Sequence, residues 1–159
     1  MENQPEIGKK APDFDLPVSS GGNLSLKSLK GRNVVLYFYP KDDTPGCTVE
    51  ACEFGKNHAS LEKAGAVVLG VSPDSLDSHS KFIAKFGLPF ALLADEGHKT
   101  AEAYGVWVLK SMYGKEYMGI QRATFLIDGA GVLRQVWPKV KPEGHAEEVL
   151  AALKGLEKA

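Results

Sequence analysis

The 159-residue chain has only two cysteines, Cys47 and Cys52, and no Cys-x-x-Cys pair, which speaks against a dithiol reductase of the thioredoxin type. It has no apolar run long enough to cross a bilayer, so no membrane association is expected. The formal net charge is −1, leaving no concentrated basic surface of the kind nucleic acid requires. The local pairs Lys9-Lys10 and Lys139 with Lys141 read as solvated surface charge. The opening MENQPEIGKK has no apolar stretch of a secretory leader and no Arg-rich, Ser-rich transit pattern, so a cytoplasmic location is expected. Two cysteines in that reducing compartment are not expected to form a permanent staple. They are left as buried inert thiols, metal ligands or redox groups. The histidines, His58, His79, His98 and His145, are far apart and share no ligand spacing. Cys47, Cys52 and His58 would make a poor zinc set, because Cys-x4-Cys on a helix is badly disposed and a fourth ligand is missing. No metal or other cofactor is expected.

What is present is the pattern of one soluble domain spanning 1–159, with 43% hydrophobic and 25% charged residues. Residues Asn33 to Tyr39 (NVVLYFY) are β-branched and aromatic without polar alternation, which suits a strand buried on both faces. A loop, PKDDTPG, leads to a helical pattern from Cys47 to Ala64. Ala66 to Val71 reads as a second buried strand, and Asp74 or Ser75 can cap a helix running to Phe86. Phe90 to Leu93 reads as a short strand and Glu96 to Tyr104 as a helix. Thr124 to Ile127 and Val132 to Trp137 read as two strands joined by the turn Asp128-Gly129-Ala130-Gly131. A last helix is expected from Glu143 to Leu156, with Val149, Leu150 and Leu153 on one face. Residues 105–121 resist assignment and read as a long irregular loop. There Trp107, Tyr113 and Tyr117 read as packing residues, with a lining of the site's entrance as the alternative. The order β-α-β-α-β-α, hairpin, helix predicts an α/β sandwich of three layers, thioredoxin-like, with a central mixed sheet flanked by helices. No long exposed apolar face stands out, so a monomer is expected.

The segment from Pro40 to Cys47 follows the first buried strand, and in an open α/β sheet sites gather at the carboxyl ends of strands. Pro45 and Gly46 shape the turn. Cys47 falls in the first helical turn, where free backbone N–H groups and the helix dipole favour a thiolate, the nucleophilic form. Thr44 carries a hydroxyl three residues before the sulfur. It can bond a thiolate or an incoming oxygen, or it can be a plain N-cap beside a cysteine that merely fills space.

Pro40, Thr44 and Cys47 resemble the active-site signature of the peroxiredoxins. The run FYPKDDTPGCTVEAC is similar to the bacterioferritin-comigratory, or peroxiredoxin Q, branch. So are GVW, RATFLID, the opening GKKAPDFDLP and the closing helix, so the resemblance covers nearly the whole chain. It implies a thiol-dependent peroxidase for hydrogen peroxide and alkyl hydroperoxides, with Cys47 as the peroxidatic cysteine and Cys52 as its disulfide partner. Arg122, just before Ala123-Thr124-Phe125, matches the family's active-site arginine, which would stabilise negative charge on the sulfur and the leaving oxygen. Pro40 would shield the sulfur and slow its overoxidation. The expected reductant is thioredoxin or a similar dithiol. Some members place the resolving cysteine on a later helix, an arrangement excluded here by the lack of a third cysteine.

The spacing of the two cysteines adds a constraint. Five residues of continuous helix rise ~7.5 Å and turn ~500°. A disulfide wants α-carbons within roughly 7 Å. An intact helix and a Cys47–Cys52 bond are therefore mutually exclusive, and closing the bond requires the first turns to unwind. A non-enzymatic redox sensor or holdase would use the same unwinding as a switch, but would not need both Thr44 and Arg122.

Overall fold

The computed structural model describes residues 4–157. Nine strands are found among them: β1 (Asp15–Pro17), β2 (Asn23–Ser25), β3 (Asn33–Phe38), β4 (Ala66–Ser72), β5 (Ala91–Ala94), β6 (Trp107–Met112), β7 (Lys115–Ile120), β8 (Ala123–Ile127) and β9 (Leu133–Trp137). The helices are α1 (Pro45–Lys63), α2 (Leu76–Phe86), α3 (Lys99–Ala103) and α4 (His145–Glu157). The central sheet has the order β5-β4-β3-β8-β9. Strands β3, β4 and β5 run parallel, while β8 and β9 are antiparallel to their neighbours. This is the mixed sheet of a thioredoxin-like fold.

The unbroken apolar run of β3 follows from its central place. Val34, Leu36 and Phe38 point into a core shared with Phe14, Val18, Ala101, Tyr104 and Ile120. Val35 and Tyr37, with Tyr39 just beyond the strand, point into a second core with Ala51, Phe54, Phe82, Val149 and Leu153. Helices α1, α2 and α4 thus cover one face, while the β1–β2 hairpin region and α3 cover the other.

Local chemistry explains the helix ends. Helix α1 starts with Pro45 in its first turn, where a missing N–H costs nothing, after an extended Thr44 (φ −97°, ψ 156°). In α2 the N-cap is Ser75, whose side chain accepts from the Ser78 N–H, and the helix stops at a left-handed Gly87. Helix α3 is shorter than the expected span from Glu96, because Gly97 and a positive-φ His98 occupy a turn before it.

Residues 105–121 correct the sequence reading. They form the antiparallel hairpin β6–β7, not an irregular loop, with Met112 opposite Lys115. The two-residue turn is Tyr113-Gly114, both at positive φ (52° and 77°), as the tight hairpin turn requires. Neither strand has a continuous buried face: Leu109, Met112, Tyr117 and Met118 are exposed. The period-2 signal of a half-buried strand was therefore missing. Trp107 stacks on His98 with ring centroids 3.9 Å apart, while Tyr113 is 97% exposed at the hairpin tip.

Candidate active site

Antiparallel pairing sets the site. Phe38, the last residue of β3, lies opposite Ala123, the first of β8. The chain leaving β3 through Pro40 therefore meets the chain entering β8 through Arg122, though Cys47 and Arg122 are 75 positions apart. Arg122 Nη2 donates to Cys47 Sγ at 3.2 Å. Its Nη1 donates to Glu50 Oε1 at 2.7 Å. One guanidinium thus bridges a buried sulfur and a buried carboxyl, and its planar fork is what permits both bonds at once. Burial alone would weaken the arginine's charge, but Glu50 and Cys47 outweigh it and hold its pKa above the ordinary value.

Each sequence-predicted residue has a definite place. Cys47 is buried in the first turn of α1. Pro40 and Thr44 bracket the loop that precedes it. Thr44 occupies the N-cap position without making a side-chain cap bond; its hydroxyl donates instead to the Lys41 carbonyl at 2.9 Å, tightening the loop. Cys52 is half-buried on the same unbroken helix, and both thiols are free. Cys47 and Arg122 are in contact, whereas Cys47 and Cys52 are not bonded.

Nothing in the motif pointed to Glu50. It lies on the same helical face as Cys47, Ala51 and Phe54 and is 1% exposed. An acid within an apolar stripe was the available signal. Burial pushes the Glu50 carboxyl up to about 7, against the opposing pull of Arg122. Its second oxygen, Oε2, has no hydrogen-bond partner among the described residues. The buried Tyr37 hydroxyl has none either, and burial, then Glu50 and Cys47, raise its pKa well above the usual phenol value.

Two close approaches occur within this assembly. A Cβ on Gly46 would stand 3.1 Å from Arg122 Nη2, tight enough that the guanidinium would have to shift by a few tenths of an ångström. A Cβ on Gly70 would lie 2.7 Å from Leu92 and 2.8 Å from Tyr37, so a side chain there would displace the Tyr37 ring. From the hairpin, Lys110 lays its stem beside Gly119, and burial followed by the field of Arg122 lowers its pKa.

Residues 7–136 match the AhpC/TSA family. Peroxiredoxin Bcp of Bacillus subtilis is 54% identical over 151 residues, covering 95% of this chain and 96% of that protein. Peroxiredoxin Bcp of Xanthomonas campestris is 49% identical over 146 residues, with 91% of each chain covered. A structure of the Xanthomonas campestris bacterioferritin comigratory protein, described for its alkyl peroxide reduction activity, superposes with a TM-score of 0.88 at 44% identity. That match covers 94% of this chain and 98% of the other.

Proposed function

The chain belongs to the AhpC/TSA family as a thiol-dependent peroxidase, and from that premise we propose that Cys47 attacks the peroxide, Arg122, Thr44 and Pro40 shape the attack, and Cys52 resolves the product. The observation that carries this reading is the 3.2 Å bond from Arg122 Nη2 to Cys47 Sγ. In the first step the Cys47 thiolate attacks the terminal, hydrogen-bearing peroxide oxygen, forming the S–O bond as the O–O bond breaks. The sulfur is oxidised to sulfenic acid, and the leaving alkoxide or hydroxide takes a proton to become alcohol or water. Arg122 faces the sulfur and opposes the negative charge on both the attacking thiolate and the departing oxygen. The Thr44 oxygen keeps lone pairs free to accept from the peroxide's O–H, because its own proton is committed to Lys41. Pro40 limits water at the sulfur.

In the second step the Cys52 thiol condenses with the sulfenic acid, forming the disulfide and releasing water. Helix α1 is continuous through both cysteines, so its first turns must unwind for this to occur. A dithiol such as thioredoxin then returns two electrons and two protons, and the helix re-forms. Hydrogen peroxide and alkyl hydroperoxides are the substrates, the alkyl class being supported by the Xanthomonas campestris relative. The working protein is a cytoplasmic monomer with one domain over residues 1–159, acting in antioxidant defence.

Intact-mass measurement after one equivalent of peroxide tests these roles. The wild type should lose two hydrogens, Cys52→Ser should hold a trappable sulfenic acid, and Cys47→Ser should consume no peroxide. Turnover by Cys47→Ser at the wild-type rate would overturn the reading.

A further inference from the structure

Beside the site lies a buried polar cluster that the reaction as described does not use. Asp42 sits in the loop between Pro40 and Thr44 and is 7% exposed. Its Oδ1 accepts from the Tyr39 hydroxyl, and its Oδ2 accepts from Ser78 Oγ at 2.8 Å. The same Oδ2 lies 2.7 Å from His79 Nδ1. His79 is 0% exposed, and its Nε2 lies 2.8 Å from the Leu93 carbonyl. A carbonyl oxygen can only accept, so Nε2 carries a proton. The Asp42 carboxylate lies against the other ring nitrogen, so His79 is held between two acceptor groups on opposite sides of its ring. The loop has further ties to the same side. The Asp42 N–H donates to Asp74 Oδ2 at 2.8 Å, and Asp43, left-handed at φ 58°, pairs with Lys85 at 2.8 Å. Asp42, Asp74 and His79 could be mistaken for a cation site. Their facing atoms are instead engaged with one another, with Ser72 and with Ser78.

These contacts share one direction. Apart from the Tyr39 bond within the same segment, they tie the loop that carries Pro40 and Thr44 to α2 and to Asp74 beyond β4, with His79 in turn held to Leu93 of β5, and none of them involves a residue of α1. We propose that the Asp42–His79–Tyr39 cluster is a latch on the peroxide-reactive conformation, with His79 as its positioning residue. It sets how readily the first turns of α1 unwind after Cys47 has been oxidised. The reason is mechanical. Unwinding must free the backbone from Thr44 to Cys52, and its upstream end is pinned wherever the preceding loop is pinned. A latch that holds Pro40 and Thr44 around Cys47 favours attack on peroxide. The same latch delays delivery of the sulfenic acid to Cys52, prolonging exposure to a second peroxide. Losing it should move these two steps in opposite directions.

This inference rests on the proposed roles of Cys47 and Cys52, and its test separates the two. His79→Gln and Asp42→Asn are compared with wild type by rapid-mixing tryptophan fluorescence, with intact mass taken along the time course. Loss of a buried charged hydrogen bond should slow Cys47 oxidation and speed disulfide closure, each by roughly tenfold. The sulfinic fraction at high peroxide should fall accordingly. The milder Ser78→Ala, which removes one donor to Asp42, should shift both steps the same way by a smaller factor, and it serves if the first variants fold poorly. Equal slowing of both steps, or no change in either, would overturn the latch. If the wild type itself forms no Cys47–Cys52 bond, the reading of the cysteines fails instead.

Discussion

Arg122 reaches the Cys47 sulfur past residue 46, which has no side chain. The Cβ of an alanine there would stand 3.1 Å from Nη2, closer than most real Cβ contacts, so the guanidinium would have to shift relative to the sulfur by a few tenths of an ångström. Gly46→Ala should therefore fold normally and lose about tenfold or more in kcat/KM for peroxide, as small displacements of a reacting group do. Steady-state assays alongside a thermal melt will check both halves of that statement. Glu50 makes a second residue-scale prediction. Its carboxyl is raised from 4.5 to about 7, so the folded state binds its proton more tightly than the unfolded chain does. Its contribution is present below the unfolded value and is lost as pH rises through the folded one, so stability should decline across that window. Glu50→Gln should flatten that decline. Denaturant unfolding of both proteins at pH ~5 and ~8 measures the difference.

At the scale of elements, α1 is the one that must be both ordered and breakable. Its first two turns carry Cys47, Glu50 and Cys52, while its later turns bury Phe54 and Leu61 in the core. Hydrogen exchange on the oxidised protein should show protection lost from Cys47 to Cys52 but kept in β3 and β4; full protection across α1 in a disulfide-bonded sample would contradict the required unwinding. The sequence was most informative where pattern and burial coincide. The unbroken run of β3, a cap of α2 at Asp74 or Ser75 (found at Ser75) and the Asp128-Gly129-Ala130-Gly131 turn before β9 were all readable, because local chemistry and tertiary place agree there. The β6–β7 hairpin was not readable, since its apolar residues Leu109, Met112 and Met118 face solvent and carry no alternation. Within the site, Cys47 and Arg122 were visible through motifs. The partnership of Arg122 with Glu50 was hidden, because it depends on β8 running antiparallel to β3, a long-range pairing that no local window contains.

For the whole molecule, the unwinding proposed for the oxidised form would remove part of one face of the sandwich while leaving the sheet intact. The reduced protein should therefore be the more stable form. The disulfide form should melt a few degrees lower, about 2–4 °C for the loss of about 1 kcal/mol. Calorimetry of the two redox states in parallel, with size-exclusion chromatography to hold the oligomeric state fixed, provides the comparison. A higher melting temperature for the oxidised protein would mean that α1 need not give up its packing.

Two buried side-chain oxygens, on Tyr37 and Glu50, have no hydrogen-bond partner among the described residues. A polar group of this kind costs about 1–3 kcal/mol where water does not reach it. Glu50 belongs to the first turns of α1, and its charge is felt by Tyr37. Unwinding those turns would hydrate Glu50 and open a route for water to Tyr37, relieving that cost. The segment that has to let go is thus also the one whose unwinding would return a buried acid to water.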